Sequence, residues 1–175
     1  FFTRSSGNGK KPEWFMRRFL KFTPGIILLI YLLLFLIFRH PSQNWDRIIN
    51  SDGKGYYAYL PAIFIYHDLN YHFIESYESK YYPSDRSVFK DFRVALDGKT
   101  VNKCFPGLAL AWLPFFLAAH GLSFLLGFPT DGYSIIYQYS IAFAALFYLW
   151  LGCFLLFRLL KSFYATDSEA AFITL

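Results

Sequence analysis

Two long apolar runs constrain the fold of this chain more than any other feature. The first, at residues 19–38, would form an α-helix about 30 Å long, which matches the hydrocarbon thickness of a bilayer. The second, at residues 133–157, is also long enough to cross. Hydrophobic residues make up 55% of the sequence and charged residues only 17%, a composition too apolar for an ordinary soluble domain. The sequence therefore predicts an α-helical, polytopic integral membrane protein.

Flanking cations predict the orientation of the chain. Residues 1–18 carry a clear excess of Lys and Arg over Asp and Glu, which predicts a cytoplasmic N-terminal tail. A cleaved signal peptide is the alternative, but the apolar core is longer than usual and no small-residue cleavage site follows it. Arg158 and Lys161 follow the second run, so residues 158–175 are predicted to be a cytoplasmic loop and the start of a next span in a longer protein.

A further apolar run, at residues 105–128, has no consistent role as a third crossing. If it crossed, Arg158 and Lys161 would lie outside, against the positive-inside rule. Its pattern is interrupted by four residues: Pro106, Pro114, His120 and Gly121. We expect either a broken helix that lies at the interface or re-enters the membrane, or a plain transmembrane helix.

Residues 39–104 form a predicted outer loop of mixed character. The apolar stretch at residues 55–66 is too short to cross and is predicted to lie at the membrane surface, with its tyrosines at headgroup level. Residues 92–103 alternate around Asp97-Gly98, a pair that favours a type I′ hairpin turn. The returning strand would bring Lys103 to the edge of the next apolar segment.

The loop carries one carboxylate, Asp52, and one ammonium, Lys103, on the same predicted membrane face. This pair suits a lipid-linked phosphate, because the amine would neutralise the phosphate at headgroup level and the carboxylate would act as a base toward an acceptor. The alternative for Asp52 is to cap a helix that begins near Gly55, a role that aspartate often fills. From the residues alone, capping is the favoured role.

Two stretches resemble motifs of the GT-C type of membrane glycosyltransferases. "DGKGYY", at residues 52–57, is similar to the acidic motif of the family 39 group, often Asp-Glu-x-x-Tyr, with Asp52 at the first acidic position and glycine at the second. That group includes aminoarabinose transferase and the protein O-mannosyltransferases. "NKCFPGLALAWLPF", at residues 102–115, resembles the family's Lys-Pro-Pro-Leu-x-x-Trp step, with Lys103 at the lysine position and two residues before the proline.

The resemblance implies that the chain is the N-terminal module of a larger helical bundle with interface helices. Asp52 would be catalytic, and the substrate would be bound by Lys103, Lys54, Tyr56 and Tyr57. The implied activity is transfer of a sugar from a polyprenyl-phosphate donor to a glycan, lipid or protein acceptor, on the outer face of a bacterial inner membrane. No cofactor is implied, and a divalent metal is possible but not indicated. The alternatives are a transporter or flippase subunit for lipid-linked glycans, or a non-catalytic membrane interaction protein.

The remaining polar residues are predicted to have structural roles. The histidines do not have a metal-ligand spacing, and His120 is predicted to form a hydrogen bond at a helix break. Asp131 in "PTDG" is predicted to be a turn residue, with a substrate role as the less favoured alternative. The formal charge of +5 is explained by the cytoplasmic flank, so no nucleic-acid partner is predicted. Cys104 and Cys153 lie in unlike segments and do not predict a disulfide.

Overall fold

The computed structural model of the protein describes residues 22–38, 45–81 and 92–163. In chain order these contain α1 (Thr23–Phe38), a short 3-10 helix (Trp45–Arg47), α2 (Asp52–Phe64), α3 (Phe73–Tyr81), β1 (Arg93–Leu96), β2 (Lys99–Asn102), α4 (Gly107–Leu126) and α5 (Ile135–Phe163). The described part of the chain is mostly helical, as the sequence predicts.

The chain divides into two compact units. One contains the residues up to Phe35 together with those from Leu146 onward, and the other contains Leu36–Ala145. In the first unit, the α1 side chains of Leu29, Ile30 and Leu33 are about half exposed. A helix with so much exposed apolar surface is typical of a lipid environment.

Two of the described helices are long and apolar enough to cross a membrane. They are α4, with 20 residues and a mean hydropathy of 1.8, and α5, with 29 residues and 2.2. α1 is apolar but shorter, and residues 19–21 of the predicted first span lie outside the described residues. α5 extends beyond the predicted end at residue 157 and includes Arg158 and Lys161, because long cationic side chains can reach the interface from within a helix.

α4 is one continuous helix, so the broken form predicted for residues 105–128 is wrong. Pro114 lies inside the helix and does not interrupt it, because the loss of one backbone donor can be accommodated by local adjustment. The helix ends at Gly127, which has a φ of 72° and donates its N–H to the Ser123 carbonyl.

The core of the second unit is aromatic and forms around α2. Tyr57 is fully buried, and its ring lies edge-on to Phe116 and Tyr133 with centroid distances of 5.9 and 5.5 Å. Edge-to-face aromatic pairs of this kind stabilise a core beyond the area that they bury. α2 packs along α4 through this cluster, so one face of α2 is covered by protein.

Of the tyrosines predicted to lie at headgroup level, Tyr57 is fully buried, so the prediction is wrong for this residue, whereas Tyr56, Tyr59 and Tyr66 are half-buried. Tyr57 donates its hydroxyl to the Gly132 carbonyl. Tyr59 donates to the Cys104 carbonyl at 2.6 Å, and Tyr66 donates to the Asp131 carbonyl at 2.9 Å. These hydroxyls satisfy backbone carbonyls that the neighbouring loops would otherwise leave unpaired.

The hairpin predicted around Asp97-Gly98 is confirmed. β1 and β2 are antiparallel, with Arg93 opposite Asn102 and Leu96 opposite Lys99. Asp97 and Gly98 have φ values of 50° and 74°, the positive values that a type I′ turn requires at both central residues. The hairpin therefore ends at Asn102, directly before Lys103.

Candidate functional site

Asp52 is the first residue of α2, and its side chain is exposed. The helix begins three residues earlier than predicted, so the alternative in which Asp52 caps a helix beginning near Gly55 is wrong. Ser51 holds the capping position without a side-chain capping bond. A carboxylate in the first helical turn still interacts favourably with the helix dipole.

The backbone before Asp52 is strained. Ser51 has a φ of 51° and a ψ of −133°, a combination that residues with a Cβ rarely adopt. Such conformations cost about 1–3 kcal/mol and cluster at functional sites, where the surrounding structure holds them in place. The strained residue and the predicted catalytic carboxylate are adjacent in this chain.

The base of the hairpin docks on the first turns of α2. The Asn102 side-chain amide donates to the Gly55 carbonyl at 2.8 Å, and its oxygen accepts the Cys104 N–H at 2.9 Å. The Cys104 sulfur lies so close to Gly55 that a Cβ at this position would overlap it. Glycine is therefore required here for close approach rather than for its backbone angles. Lys103, between the two docked residues, is held exposed beside the beginning of α2.

Asp52 and Lys103 both neighbour the contact between Cys104 and Gly55. Lys103 precedes Cys104 in the chain, and Asp52 lies three residues before Gly55 in α2. Both side chains are exposed. Burial raises the pKa of the Cys104 thiol, the Asp52 carboxylate raises it further, and the Lys103 ammonium lowers it.

The other predicted substrate residues have different surroundings. Tyr56 is half-buried and lies four residues after Asp52, so the two share one face of α2. Lys54 lies two residues after Asp52 and therefore on a different face; it is only 9% exposed, with its ammonium buried. Tyr57 is fully buried and bonded to Gly132. Neither Lys54 nor Tyr57 is presented at the surface that Asp52 and Lys103 share, which corrects their predicted roles.

Metal binding has no visible support in the described ranges. Within residues 22–38, 45–81 and 92–163, no group of three His, Cys, Asp or Glu side chains could hold a metal ion.

A second polar cluster, around Asp131, was missed by sequence reasoning. Its Oδ2 accepts hydrogen bonds from Lys80 Nζ and Tyr81 Oη, both at 2.6 Å. Its Oδ1 accepts the backbone N–H groups of Tyr133 and Ser134 at 2.9 and 3.0 Å, just before α5 begins. The position before an apolar run could have indicated a helix cap. Lys80, however, is 51 residues away, and no local pattern indicates that pairing.

The environment of Asp131 favours its ionised form. Burial alone would raise the pKa of this carboxyl, but the hydrogen bonds from Lys80, Tyr81 and the Tyr133 backbone together hold the pKa below its ordinary value. A small pocket of about 150 Å³ borders the cluster and is lined by several tyrosines, including Tyr66 and Tyr77. Because every oxygen of Asp131 has partners, the cluster holds α3, the end of α2 and the beginning of α5 together.

His120 lies within the continuous part of α4. Its Nδ1 is 2.6 Å from the Tyr137 hydroxyl on α5, and its ring stacks on Phe116. The predicted hydrogen bond of His120 is therefore present, but it joins α4 to α5 and does not lie at a helix break.

Comparisons with models of protein families, with curated proteins and with solved structures found no match.

Proposed function

We propose that the protein is a polytopic membrane glycosyltransferase that transfers a sugar from a polyprenyl-phosphate donor to an acceptor. The observation that carries this proposal is the docking of the hairpin base on α2 through Cys104 and Gly55, which places the exposed Asp52 and the exposed Lys103 next to the same contact. The resemblance of residues 52–57 and 102–115 to GT-C motifs supports it. The loop that holds the site then faces the outside, with the N-terminus in the cytoplasm of a bacterial cell.

In the proposed reaction, Asp52 acts on the acceptor and Lys103 acts on the phosphate that leaves. An acceptor hydroxyl or amine attacks the anomeric carbon of the donor, and Asp52 takes the proton that the acceptor loses. The bond between the anomeric carbon and the phosphate oxygen breaks, and polyprenyl phosphate leaves with the electron pair. Lys103 and the N-terminus of α2 neutralise the charge that develops on the phosphate.

The local structure supports a site of fixed geometry. The Asn102 amide joins the base of the hairpin to the Gly55 carbonyl, and Tyr59 joins α2 to the Cys104 carbonyl. These hydrogen bonds flank Lys103 and hold it relative to the first turn of α2. Pre-organised charges need little rearrangement during the reaction, which is the main source of electrostatic catalysis. Tyr56, on the same face as Asp52, offers a ring and a hydroxyl to the sugar.

Replacement of Asp52 with Asn tests the proposed base. The intact protein is reconstituted in vesicles and supplied with a panel of polyprenyl-phosphate donors that carry a labelled sugar and with a panel of glycan, lipid and protein acceptors. The release of polyprenyl phosphate and the transfer of label to an acceptor are measured. We expect Asp52→Asn to lower the rate by at least about 100-fold, the usual contribution of a general base. Asp97→Asn is the matched control, because Asp97 is exposed at the hairpin turn and should tolerate the change.

Three outcomes would overturn the transferase proposal. They are full activity of Asp52→Asn, no turnover of any donor by the wild-type protein, and movement of the intact lipid-linked sugar across the vesicle membrane without release of the lipid phosphate. The last outcome would identify a flippase.

Replacement of Lys103 with Gln tests the proposed phosphate contact. We expect the KM for the donor to rise by about 10-fold, because a charge-assisted contact to phosphate is worth roughly 1.5 kcal/mol. Lys99→Gln is the matched control, since Lys99 is an exposed lysine at the start of β2, the strand that Lys103 follows. Equal KM values in the two variants would contradict the assignment.

A further inference from the structure

The pocket beside Asp131 has the size of one small ring. Its volume is about 150 Å³, and its walls come from three segments: Tyr66 just after α2, four residues of α3, and Asp131 and Tyr133 just before α5. A cavity of about 150 Å³ can hold a six-membered ring such as benzene, whereas sites for drug-sized ligands have roughly 300–1,000 Å³. The pocket therefore suits a ligand with a single ring.

The charges that line the pocket compensate each other. Among the described residues that line it, Lys80 and Asp131 are the charged ones, and Lys80 Nζ lies 2.6 Å from Asp131 Oδ2. The pKa of the Asp131 carboxyl is held below its ordinary value, so the carboxylate is ionised at neutral pH and neutralises the ammonium. An added anion would face Asp131, and an added cation would face Lys80. The pocket therefore favours a neutral ligand.

The residues bonded to Asp131 offer the pocket one donor and one acceptor. The Lys80 ammonium has three N–H groups, and one of them donates to Asp131 Oδ2. The Tyr81 hydroxyl gives its proton to the same carboxylate oxygen, also at 2.6 Å, so its own oxygen can accept a hydrogen bond. The two groups are neighbours because they share one partner atom. Adjacent hydroxyls of a polyol can accept from Lys80 and donate to Tyr81 at the same time.

The remaining walls are aromatic and held in place. The Tyr66 ring stacks on Phe73 with a centroid distance of 4.2 Å, and the Tyr77 ring stacks on Tyr133 at 3.6 Å. Fixed rings with a few polar groups are typical of small-molecule sites. A sugar ring has an apolar C–H face that packs on such rings and hydroxyls that need hydrogen bonds. Lys80 has a side chain that is 53% exposed, so a polar ligand can reach the pocket from water.

We propose that this pocket is a carbohydrate subsite that binds one neutral pyranose ring. The C–H face of the ring packs on the tyrosines, and two adjacent hydroxyls pair with Lys80 and Tyr81. The pocket and Asp52 lie at opposite ends of α2, which has 13 residues and is about 20 Å long. One monosaccharide cannot reach both places, so in the proposed transferase the pocket holds a distal unit of a glycan acceptor. That assignment rests on the proposed function, whereas the binding of a sugar does not.

Sugar binding is measured directly on the intact protein, in a detergent without a sugar headgroup. Saturation-transfer NMR is recorded with the methyl pyranosides of glucose, mannose, galactose and N-acetylglucosamine. We expect at least one of them to bind with a millimolar Kd. Methyl glucuronide and methyl glucosaminide should bind at least about 10-fold more weakly, because each brings a charge close to the like charge of the pocket. Phenol serves as a neutral aromatic ring of similar size.

Two serines of α3 provide a matched pair of variants. Ser76 lines the pocket and Ser79 is not among its lining residues, although each donates its hydroxyl to the carbonyl three residues earlier. We expect Ser76→Leu to abolish the sugar signal because the new side chain fills the pocket, and Ser79→Leu to bind as the wild type does. Tyr81→Phe covers the case in which Ser76→Leu does not fold. It keeps the ring and removes the accepting oxygen, so binding should weaken by about 5-fold.

Four outcomes would overturn the carbohydrate subsite. They are no binding of any neutral pyranoside by the wild type, binding of phenol that pyranosides do not displace, tighter binding of the charged sugars, and equal binding by Ser76→Leu and Ser79→Leu.

The subsite and the transferase can fail separately. Asp52→Asn should bind the sugar as the wild type does, even where transfer is lost. In the transfer assay, Ser76→Leu should raise the KM for a glycan acceptor and leave the KM for the donor unchanged. Equal acceptor KM values for Ser76→Leu and Ser79→Leu would overturn the acceptor role.

Discussion

The two ends of α2 each adjoin a carboxylate, and the two carboxylates have opposite surroundings. Asp131 accepts hydrogen bonds from Lys80, Tyr81 and two backbone N–H groups. Asp52 is exposed, and no side chain within the described ranges donates a hydrogen bond to it. A carboxylate whose oxygens are fully occupied holds structure together, whereas an exposed carboxylate beside an ammonium can receive a substrate. The contrast gives Asp131 a structural role and leaves Asp52 available for the proposed chemistry.

Asp131→Asn provides the strongest test of this contrast. The change removes the charge that faces Lys80, so we expect the free energy of unfolding to fall by about 2 kcal/mol, a typical value for hydrogen bonds to charged groups. Thermal unfolding in detergent would show this as a Tm lower by several degrees. Asp97→Asn makes the same change at an exposed turn and should leave the Tm unchanged. Equal Tm values for the two variants would remove the structural role assigned to Asp131.

The stability that Asp131 contributes should depend on pH. The pKa of Asp131 is held below its ordinary value, although burial opposes this, because Lys80, Tyr81 and the Tyr133 backbone donate to it. The stability it contributes is therefore present above its unfolded pKa of about 3.9 and is lost as the pH falls through the lower folded pKa. Unfolding measured from neutral pH down to strong acid should show a flatter profile for Asp131→Asn than for the wild type. Parallel profiles would contradict this prediction.

Gly55→Ala tests the docking that brings Lys103 to Asp52. The new Cβ would overlap the Cys104 sulfur and lie 2.9 Å from the Phe92 Cβ, so we expect a net loss of about 1–2 kcal/mol after the gain in helix propensity is included. Transfer activity should fall with it, because the base of the hairpin must move. Gly53→Ala, which meets nothing within 4 Å, is the matched control and should keep both properties. Wild-type stability and activity of Gly55→Ala would show that the docking is not needed.

Tyr57→Phe separates a packing tyrosine from a surface one. The change leaves the Gly132 carbonyl without its donor in a buried place, so we expect a loss of about 1 kcal/mol in unfolding free energy. Tyr56→Phe, at the neighbouring half-buried position, should leave the Tm unchanged. Denaturant titration of the two variants measures the difference, and the reverse order of stabilities would exchange the roles assigned to the two residues.

The smallest expected effect is on the reactivity of Cys104. Asp52 raises the pKa of this thiol and Lys103 lowers it, on top of the larger effect of burial. Asp52→Asn should therefore speed alkylation by iodoacetamide near neutral pH, and Lys103→Gln should slow it, in a protein that carries Cys153→Ser. Rates that do not respond to either change would show that the two charges are not near the thiol, and the comparison of the two ends of α2 would lose its basis.

Local patterns predicted the local parts of this structure. Asp97-Gly98 predicted the hairpin because few residue pairs tolerate two consecutive positive φ angles. The apolar run at residues 133–157 predicted a helix long enough to cross a membrane, and such a helix is present, because composition and length are properties of neighbouring residues. The interruption of α4 was predicted wrongly, since the effect of Pro114 depends on whether neighbouring groups accommodate it. The pairing of Lys80 with Asp131 joins residues far apart in the chain and has no local signal.

The candidate site was likewise predicted only in part from the sequence. The sequence identified Asp52 and Lys103 because their charges stand out at the edges of apolar segments, but it could not distinguish a cap from a base. The beginning of α2 at Asp52 and the contact of Cys104 with Gly55 decided which side chains are exposed. The sequence assigned Lys54 and Tyr57 to the substrate. Both residues are buried because α2 packs on its neighbours, and this packing has no local signal in the sequence.

By itself, the sequence determined that this chain is helical, that its apolar runs suit a bilayer, and that a hairpin follows the first polar segment, because these properties depend on neighbouring residues. Only the tertiary structure decided that Tyr57 and Tyr59 form hydrogen bonds to the segments on both sides of α4. It also decided that the Asp131 carboxylate accepts several hydrogen bonds while the Asp52 carboxylate is exposed. Those outcomes depend on contacts between residues distant in the chain, and such contacts form only when the helices pack together.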